Sequence, residues 1–171
     1  MPITKDEFRT ALGRFASGVT VVTTRDAEHK PQGLTVSAFT SLSLDPPLVL
    51  ICIDNKSGSH SAFLKSGAFV VNLLADDQES LSRHFASKTP DKFAGVVYRE
   101  GINRMPVLEG ALANLECRLV RAHEGGDHTI FIGEIETTTI RGGQPLLYFQ
   151  GKYARLNTEA IGVLVDANAY A

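Results

Sequence analysis

The sequence predicts a mainly β fold: a small, closed or nearly closed antiparallel barrel with a few short flanking helices. Three observations carry that prediction. Runs rich in Val, Ile and Thr recur along the chain, as pleated strands prefer. Short turns separate them, rather than the long helical crossovers that parallel strands need. The 171 residues, 43% hydrophobic and 21% charged, suit one domain with a core of its own, taken here as the whole span 1–171. Closing such a sheet removes its edges and leaves a mouth where a small ligand can sit.

The elements follow in order. "TKDEFRTALGRFASG" opens a helix: Thr4 is placed to cap it, Glu7 stands three residues on, and Phe8, Ala11, Leu12 and Phe15 repeat at helical spacing. Gly18 is expected to end it. "VTVVTTR" is a β-branched strand and "DAEHKPQG" a polar turn. "GLTVSAFTSLSLDPPLVLICIDNKSGSH" reads as two strands around Asp45-Pro46-Pro47, because two prolines cannot donate to a central ladder. "SGSHSAFLKSG" is a short helix with Phe63 and Leu64 inward. "AFVVNLLA" is a strand, and "DDQESLSRHFASK" a helix with Leu81 and Phe85 one turn apart. "TPDKFAGVVYREGINRMPVLEG" reads as an irregular surface excursion. "ALANLECRLVRAHEGGDHTIFIGEIETTTI" gives two long strands around the Gly125-Gly126 turn. "RGGQPLLYFQGKYARL" adds a turn, a short strand and a turn, and the tail "NTEAIGVLVDANAYA" carries weak signal.

Composition excludes several function classes. Net charge is −2, from 17 Lys+Arg against 19 Asp+Glu, with no basic block, so no nucleic-acid partner is expected. No apolar run approaches the roughly 20 residues that cross a bilayer, and "MPITKDEFRT" holds no signal core, so the expected location is cytoplasmic, away from membranes. Cys52 and Cys117 sit in apolar strands with no partner at metal-ligand spacing, which reads as buried inert thiols and no metal site. GxSxG, Walker, HExxH and CxxC patterns are absent.

Four stretches are candidates for chemistry. Thr35, Ser37, Ser41 and Ser43 share one parity, and Val36, Ala38, Leu42 and Leu44 the other, so one face packs inward and the other presents short hydroxyls. Those hydroxyls suit either a flat polar ligand or plain solvent. "DNKSGSH" places Asn55, Lys56, Ser57 and Ser59 before a helix, where they either hold a phosphate or cap the helix. His128, first in the strand after Gly125-Gly126-Asp127, sits at a rim. Tyr148 and Tyr153 flank a glycine turn with Phe149 between, fit for ring stacking or for core packing.

Taken together and in this order, the segments resemble the flavin reductase family with the FMN-binding split-barrel fold, the reductase components of two-component flavin-dependent monooxygenases. The resemblance covers about residues 5 to 156 and is carried by "FRTALGRFASGVTVVTT", "GLTVSAFTSLSLDPPLVLICI", "NKSGSHSAF", "FVVNLLA", "LSRHFA", "GDHTIFIGEI" and "PLLYFQGKY". It implies a six-stranded antiparallel Greek-key split barrel with flanking short helices, assembled as a homodimer. It implies an NAD(P)H:flavin oxidoreductase that passes hydride from nicotinamide C4 to flavin N5. Reduced flavin then diffuses to a partner oxygenase. FMN or FAD would serve, with NADH the expected reductant and NADPH possible.

The resemblance also implies roles for residues. Thr35, Val36, Ser37, Ala38, Ser41 and Leu42 would approach the isoalloxazine ring and ribityl chain, partly through backbone groups, and Cys52, Ile53 and Asp54 would line the next strand. Asn55, Lys56, Ser57 and Ser59 would take the phosphate, with Arg83, His84 and Phe85 near it or near the nucleotide end. His128 would meet the nicotinamide as the catalytic-site residue, and Tyr148, Gly151 and Tyr153 its nucleotide. Two other functions fit the same fold: a non-catalytic flavin-binding barrel, and a reductase serving another acceptor such as a corrin cobalt or a metal chelate.

Overall fold

The computed structural model describes residues 3–157; most of the weak-signal tail lies outside the described residues. The elements run α1 (Lys5–Leu12), β1 (Ser17–Gly18), β2 (Thr20–Arg25), β3 (Pro31–Val36), β4 (Phe39–Ser43), β5 (Leu48–Asp54), α2 (His60–Ser66), β6 (Ala68–Leu73), α3 (Glu79–Ala86), β7 (Tyr98–Glu100), β8 (Pro106–Leu108), β9 (Ala113–Gly125), β10 (His128–Ile140), β11 (Leu147–Phe149) and β12 (Lys152–Ala154). The main sheet has the order β3-β2-β6-β9-β10-β5-β4 and is antiparallel throughout. Its two end strands, β3 and β4, follow each other in the chain. Cys52 N donates to Ala38 O at 3.0 Å just where they meet.

The sheet therefore curls into a barrel closed by one segment, Pro31–Ser43, which pairs with β2 on one side and with β5 on the other. Six strands are expected and seven are found. The extra strand arises because this segment breaks at Ser37-Ala38. A register shift between Ser41 and Ser43 distorts it further, as a bulge does. The expected inward apolar face fails for the same reason: Val36 is buried, whereas Ala38, Leu42 and Leu44 are exposed.

Phe63, Phe69 and Phe131 meet edge-on or tilted inside the barrel, with Val22, Val49, Ile51 and Ile53 around them. Each such side chain contributes about 1.5–3 kcal/mol by leaving water. A second cluster of Val19, Val21, Leu74, Phe85, Leu108 and Leu146 lies outside the barrel, under α3. The segment expected to be a surface excursion supplies Leu108 to it, with Phe93, Val96 and Tyr98 packed alongside; its Met105 and Val107 are buried in a third cluster with Ala68 and Val70, and Thr23 Oγ1 donates to Pro106 O. Leu64 faces solvent, contrary to expectation, while Phe63 fills the core. The capping box of α1 forms as its sequence directs. The helix stops at Leu12 with Gly13 as C-cap, and Gly18 instead pairs with Leu147.

Candidate active site

Three adjoining chambers form a trough across one end of the barrel. The largest, about 670 Å³, lies between α1 and the broken strand. Phe8, Leu12 and Phe15 form one wall, Ser37, Ala38, Phe39 and Thr40 another, and Leu50, Cys52, Tyr148 and Gly151 its floor and end. Tyr148 and Gly151 also belong to a middle chamber of about 270 Å³, with Arg83, Ala86, Ser87 and Tyr153. Ala86 and Ser87 in turn reach a third chamber of about 510 Å³. There Lys56, Ser57 and Ser59 face Lys88, Thr89 and Lys92 across Thr35 and Phe85.

Local chemistry explains these placements. Ser37 and Ala38 fall in the gap between two strands, so the backbone lies open beside the largest chamber. Gln150 and Gly151 both have positive φ, 50° and 76°, which turns β11 tightly into β12. Tyr148 and Tyr153 then sit opposite each other with rings 5.5 Å apart. Tyr153 is further fixed by Ser82 Oγ, 2.8 Å from its Oη, and by the Arg83 guanidinium 4.6 Å from its ring centre. Arg83 also pairs with Glu79.

Neither Ser57 nor Ser59 caps α2 through its side chain, so the capping expectation fails; both residues line the third chamber, Ser57 Oγ accepting from Ser59 N at 3.4 Å and the buried Ser59 Oγ donating to Gln32 Oε1 at 3.5 Å. Lys92 Nζ donates to Phe85 O at 2.7 Å and Gly33 O at 3.3 Å, clamping the end of α3 onto β3. Burial there lowers the Lys92 pKa. Cys117 is buried as expected, its thiol pushed up to about 12 by desolvation and then by Glu136 and Glu116. Cys52 departs from expectation. It is only half-buried and lines the largest chamber, with its pKa raised by burial. Both cysteines are free.

The trough gathers Thr35, Ser37, Ala38, Cys52, Lys56, Ser57, Ser59, Arg83, Phe85, Tyr148, Gly151 and Tyr153. It leaves out the side chains of Val36 and Ile53, which pack in the barrel core, so only their backbone is available to a ligand. Phe85 borders the third chamber yet belongs to the core, pressed on Gly33, where a Cβ would lie 2.8 Å from the Phe85 ring. His84 turns aside to bond Lys92 O at 3.0 Å. Ser41 and Leu42 lie exposed on β4 beyond the trough.

Asp54, Asn55 and His128 line none of the three chambers; they stand where β5 ends, and Asn55 directly precedes Lys56 of the third chamber. His128 pairs with Asp54 across β10 and β5, and Asn55 N donates to Asp127 O. His128 is half-exposed, as a rim position requires. Its Nδ1 donates to Asp127 Oδ1 at 2.7 Å, leaving Nε2 free to face a ligand. That hydrogen bond, with the imidazole's charge, holds the Asp127 carboxyl below its ordinary value.

Sequence reasoning missed the α1 wall of the largest chamber, where an amphipathic helix was read only as a packing element. It also missed Lys88 and Lys92, because Lys88 reads as the last residue of a helix and Lys92 as part of an irregular segment; two lysines at a helix end were the available signal. Among the described residues no cluster of His, Cys, Asp or Glu could hold a metal ion, and no helix is long and apolar enough to cross a membrane.

A closed antiparallel barrel with an aromatic chamber joined to a cationic one has the shape and polarity to suit a long planar molecule carrying phosphate. Residues 12–157 match the family of the flavin reductase like domain, and the chain belongs to that family. It is 42% identical over 153 residues to the flavin-dependent monooxygenase reductase subunit HsaB of Rhodococcus jostii, covering 89% of this chain and 78% of that one. It is also 42% identical over 158 residues to an NADH-dependent flavin reductase of a Rhodococcus species, covering 90% and 88%. Among solved structures it resembles the NADH:FAD oxidoreductase SgcE6 of Streptomyces globisporus in complex with NAD and FAD fragments. There the TM-score is 0.86 at 37% identity, over 94% of this chain and 99% of that one. The sequence expectations of a flavin reductase relationship and a split-barrel class therefore hold.

Proposed function

We propose that this chain is an NADH-dependent flavin reductase serving as the reductase component of a two-component flavin-dependent monooxygenase. The observation that carries the reading is the junction of chambers. One end is aromatic and bordered by open backbone, the other holds three lysines and several hydroxyls. A flavin has the same polarity, a flat ring at one end and phosphate at the other. The relatives' names support the reductant and the role.

A bound flavin supplies the redox chemistry, accepting hydride at N5 from nicotinamide C4. The protein's residues orient and enclose. Ser37 and Ala38, with no bulk, let the backbone approach the ring, and Thr35 and Cys52 flank it. Lys56, Ser57 and Ser59, joined by Lys88, hold the phosphate; Asn55 adds an amide at the same loop. The free Nε2 of His128 bonds the nicotinamide carboxamide or a phosphate of its nucleotide. Tyr148, Gly151 and Tyr153 receive the rest of that nucleotide. Arg83 is held between Glu79 and Tyr153, so it is not free for an extra 2′-phosphate, which favours NADH over NADPH. Either FMN or FAD satisfies this set, since both carry the ring, the ribityl chain and the first phosphate.

The same reading includes a homodimer. No residue of α1 is buried, and Phe8, Leu12 and Phe15 are 53%, 56% and 77% exposed beside the largest chamber. A second copy of this chain covers that apolar wall and closes the chamber over the ring. Reduced flavin then leaves by diffusion for the oxygenase. Two free thiols and a nicotinamide reductant suit the cytoplasm.

Steady-state NADH oxidation with FMN, FAD and riboflavin tests the proposal. The expected result is NADH consumption that depends on added flavin, with riboflavin binding much more weakly than FMN. NADH left unconsumed with every flavin would return the chain to a mere binding role. Sedimentation tests the assembly, where a fully active monomer at micromolar concentration would exclude the dimer.

A further inference from the structure

Asn55 stands at the head of the phosphate loop, yet its side chain is tied to residues far along the chain. Its Oδ1 accepts a hydrogen bond from Thr129 Oγ1 at 2.8 Å. Thr129 Oγ1 in turn lies 2.8 Å from His60 Nε2. Thr129 is buried, and the His60 ring is braced edge-on against Phe131, 5.7 Å between centres. Asn55 Nδ2 has no partner among the described residues.

A hydroxyl has a single proton to give. When His60 carries a proton on Nε2, Thr129 accepts from it and spends its own proton on Asn55 Oδ1. The Asn55 oxygen is then held inward and its NH2 group points outward. When Nε2 is bare, the Thr129 proton goes to the imidazole. The hydroxyl oxygen is then satisfied only by the Asn55 NH2 group, and the amide swings its oxygen toward the ligand. An outward NH2 attracts an anion, whereas an outward oxygen repels it. The relay therefore converts the imidazole's proton into the polarity of the loop.

We infer that Thr129 and His60 are positioning residues that hold Asn55 as a hydrogen-bond donor toward the flavin phosphate, without touching the flavin themselves. The inference rests on the reading of the Asn55–Ser59 loop as the phosphate site. Its signature is selective. Losing the relay weakens phosphate-bearing ligands and spares those without phosphate.

The test measures dissociation constants of FMN and riboflavin by fluorescence quenching, in the full chain and four variants. Thr129→Val keeps the shape and removes the hydroxyl, and Thr129→Ser keeps the hydroxyl. His60→Leu removes the donor, and His60→Gln restores an N–H near the same place. Thr129→Val and His60→Leu are expected to weaken FMN roughly 10-fold, as loss of one charge-assisted hydrogen bond does. Riboflavin should stay within about 2-fold, and Thr129→Ser and His60→Gln should behave as the parent. Equal weakening of both ligands in Thr129→Val and His60→Leu would show a packing role and overturn the inference, and so would unchanged FMN affinity. If Thr129→Val does not fold, the His60 pair, at a half-exposed helix start, decides alone. Equal affinity of the parent for FMN and riboflavin would overturn the phosphate-loop reading itself, and the inference with it. Strong discrimination that survives both substitutions would sink only the relay.

Discussion

Asn72 and Asn55 are the same residue in opposite states. Asn72 is fully buried on β6, and every polar position of its amide is used. Its Nδ2 donates to Val21 O at 2.9 Å and Thr23 Oγ1 at 3.2 Å, while its Oδ1 accepts from Leu108 N at 3.0 Å and Asn114 Nδ2 at 2.9 Å. Asn55 is exposed and uses only its oxygen. The contrast extends to their surroundings. Around Asn72, Thr23, Asn114 and Glu116 bond within the protein and tie β8 and its flanking turn to the barrel. Beside Asn55, Lys56 and Ser57 stand at an open chamber, while the neighbouring Ser59 is buried and bonds Gln32. Polar groups completed internally are structure, and polar groups held in place but left incomplete are where a ligand belongs.

The sharpest way to break that contrast is to substitute the completed side. Asn72→Ala removes the partner of Leu108 N, leaves Asn114 Nδ2 with Leu108 O alone, takes a donor from Val21 O and leaves a void. About 3–5 kcal/mol of folding stability should be lost, read as a shift of the denaturant midpoint, while KM values of the folded fraction stay as they were. A loss under about 1 kcal/mol would mean that water replaces the amide. Next in size is Gly133→Ala on β10. The new Cβ would lie 2.4 Å from Phe69 Cζ and 2.9 Å from Cys117 Cβ, both in the packed core. About 1–3 kcal/mol should be lost through overpacking, again with ligand affinities intact.

The same contrast explains what could be read in advance. Strand runs, the capping box at Thr4 and Glu7, and the rim position of His128 are local properties, and each was legible. The two lobes of the trough were not. Ser37-Ala38 looks like the middle of one strand, because nothing in "TVSAFTS" announces that its two halves pair with different neighbours. The buried run Met105–Leu108 looks like loop because its partners, Thr23 and Asn72, are distant in sequence. Lys88 and Lys92 become site residues only when α3 is laid against β3. The relay from His60 through Thr129 to Asn55 depends on the register of β10 with β5, which no local pattern reports.

On the incomplete side the effects move from stability to kinetics. His128→Ala should raise the KM for NADH, with a smaller effect on flavin affinity. The loss of one hydrogen bond to a nucleotide corresponds to about 1–3 kcal/mol, or roughly 5- to 150-fold in kcat/KM. Folding stability should change by no more than about 0.5 kcal/mol, because the side chain is half-exposed and bonds the solvated Asp127. A variant that loses flavin but keeps its NADH dependence would move His128 from the nicotinamide to the flavin.

The smallest effect belongs to Asp127, and it tests the geometry on which the His128 argument depends. If His128 Nδ1 is held by Asp127 Oδ1, then Nε2 is the nitrogen offered to a ligand. The same hydrogen bond, followed by the imidazolium's charge, lowers the Asp127 pKa. A depressed carboxyl favours the folded state above its unfolded value of about 3.9, and that contribution fades as pH falls through the lower folded value. Asp127 is fully solvated, so salt screens the pair and stability should barely respond. The carboxyl's own titration is the sensitive readout. By NMR, Asp127 should titrate below the ordinary aspartate range in the parent and return to that range in His128→Ala. Added salt should move the parent only part of the way, since the hydrogen bond is the larger cause. An ordinary value in both proteins would mean that no such bond orients the ring, so either imidazole nitrogen could face the nicotinamide.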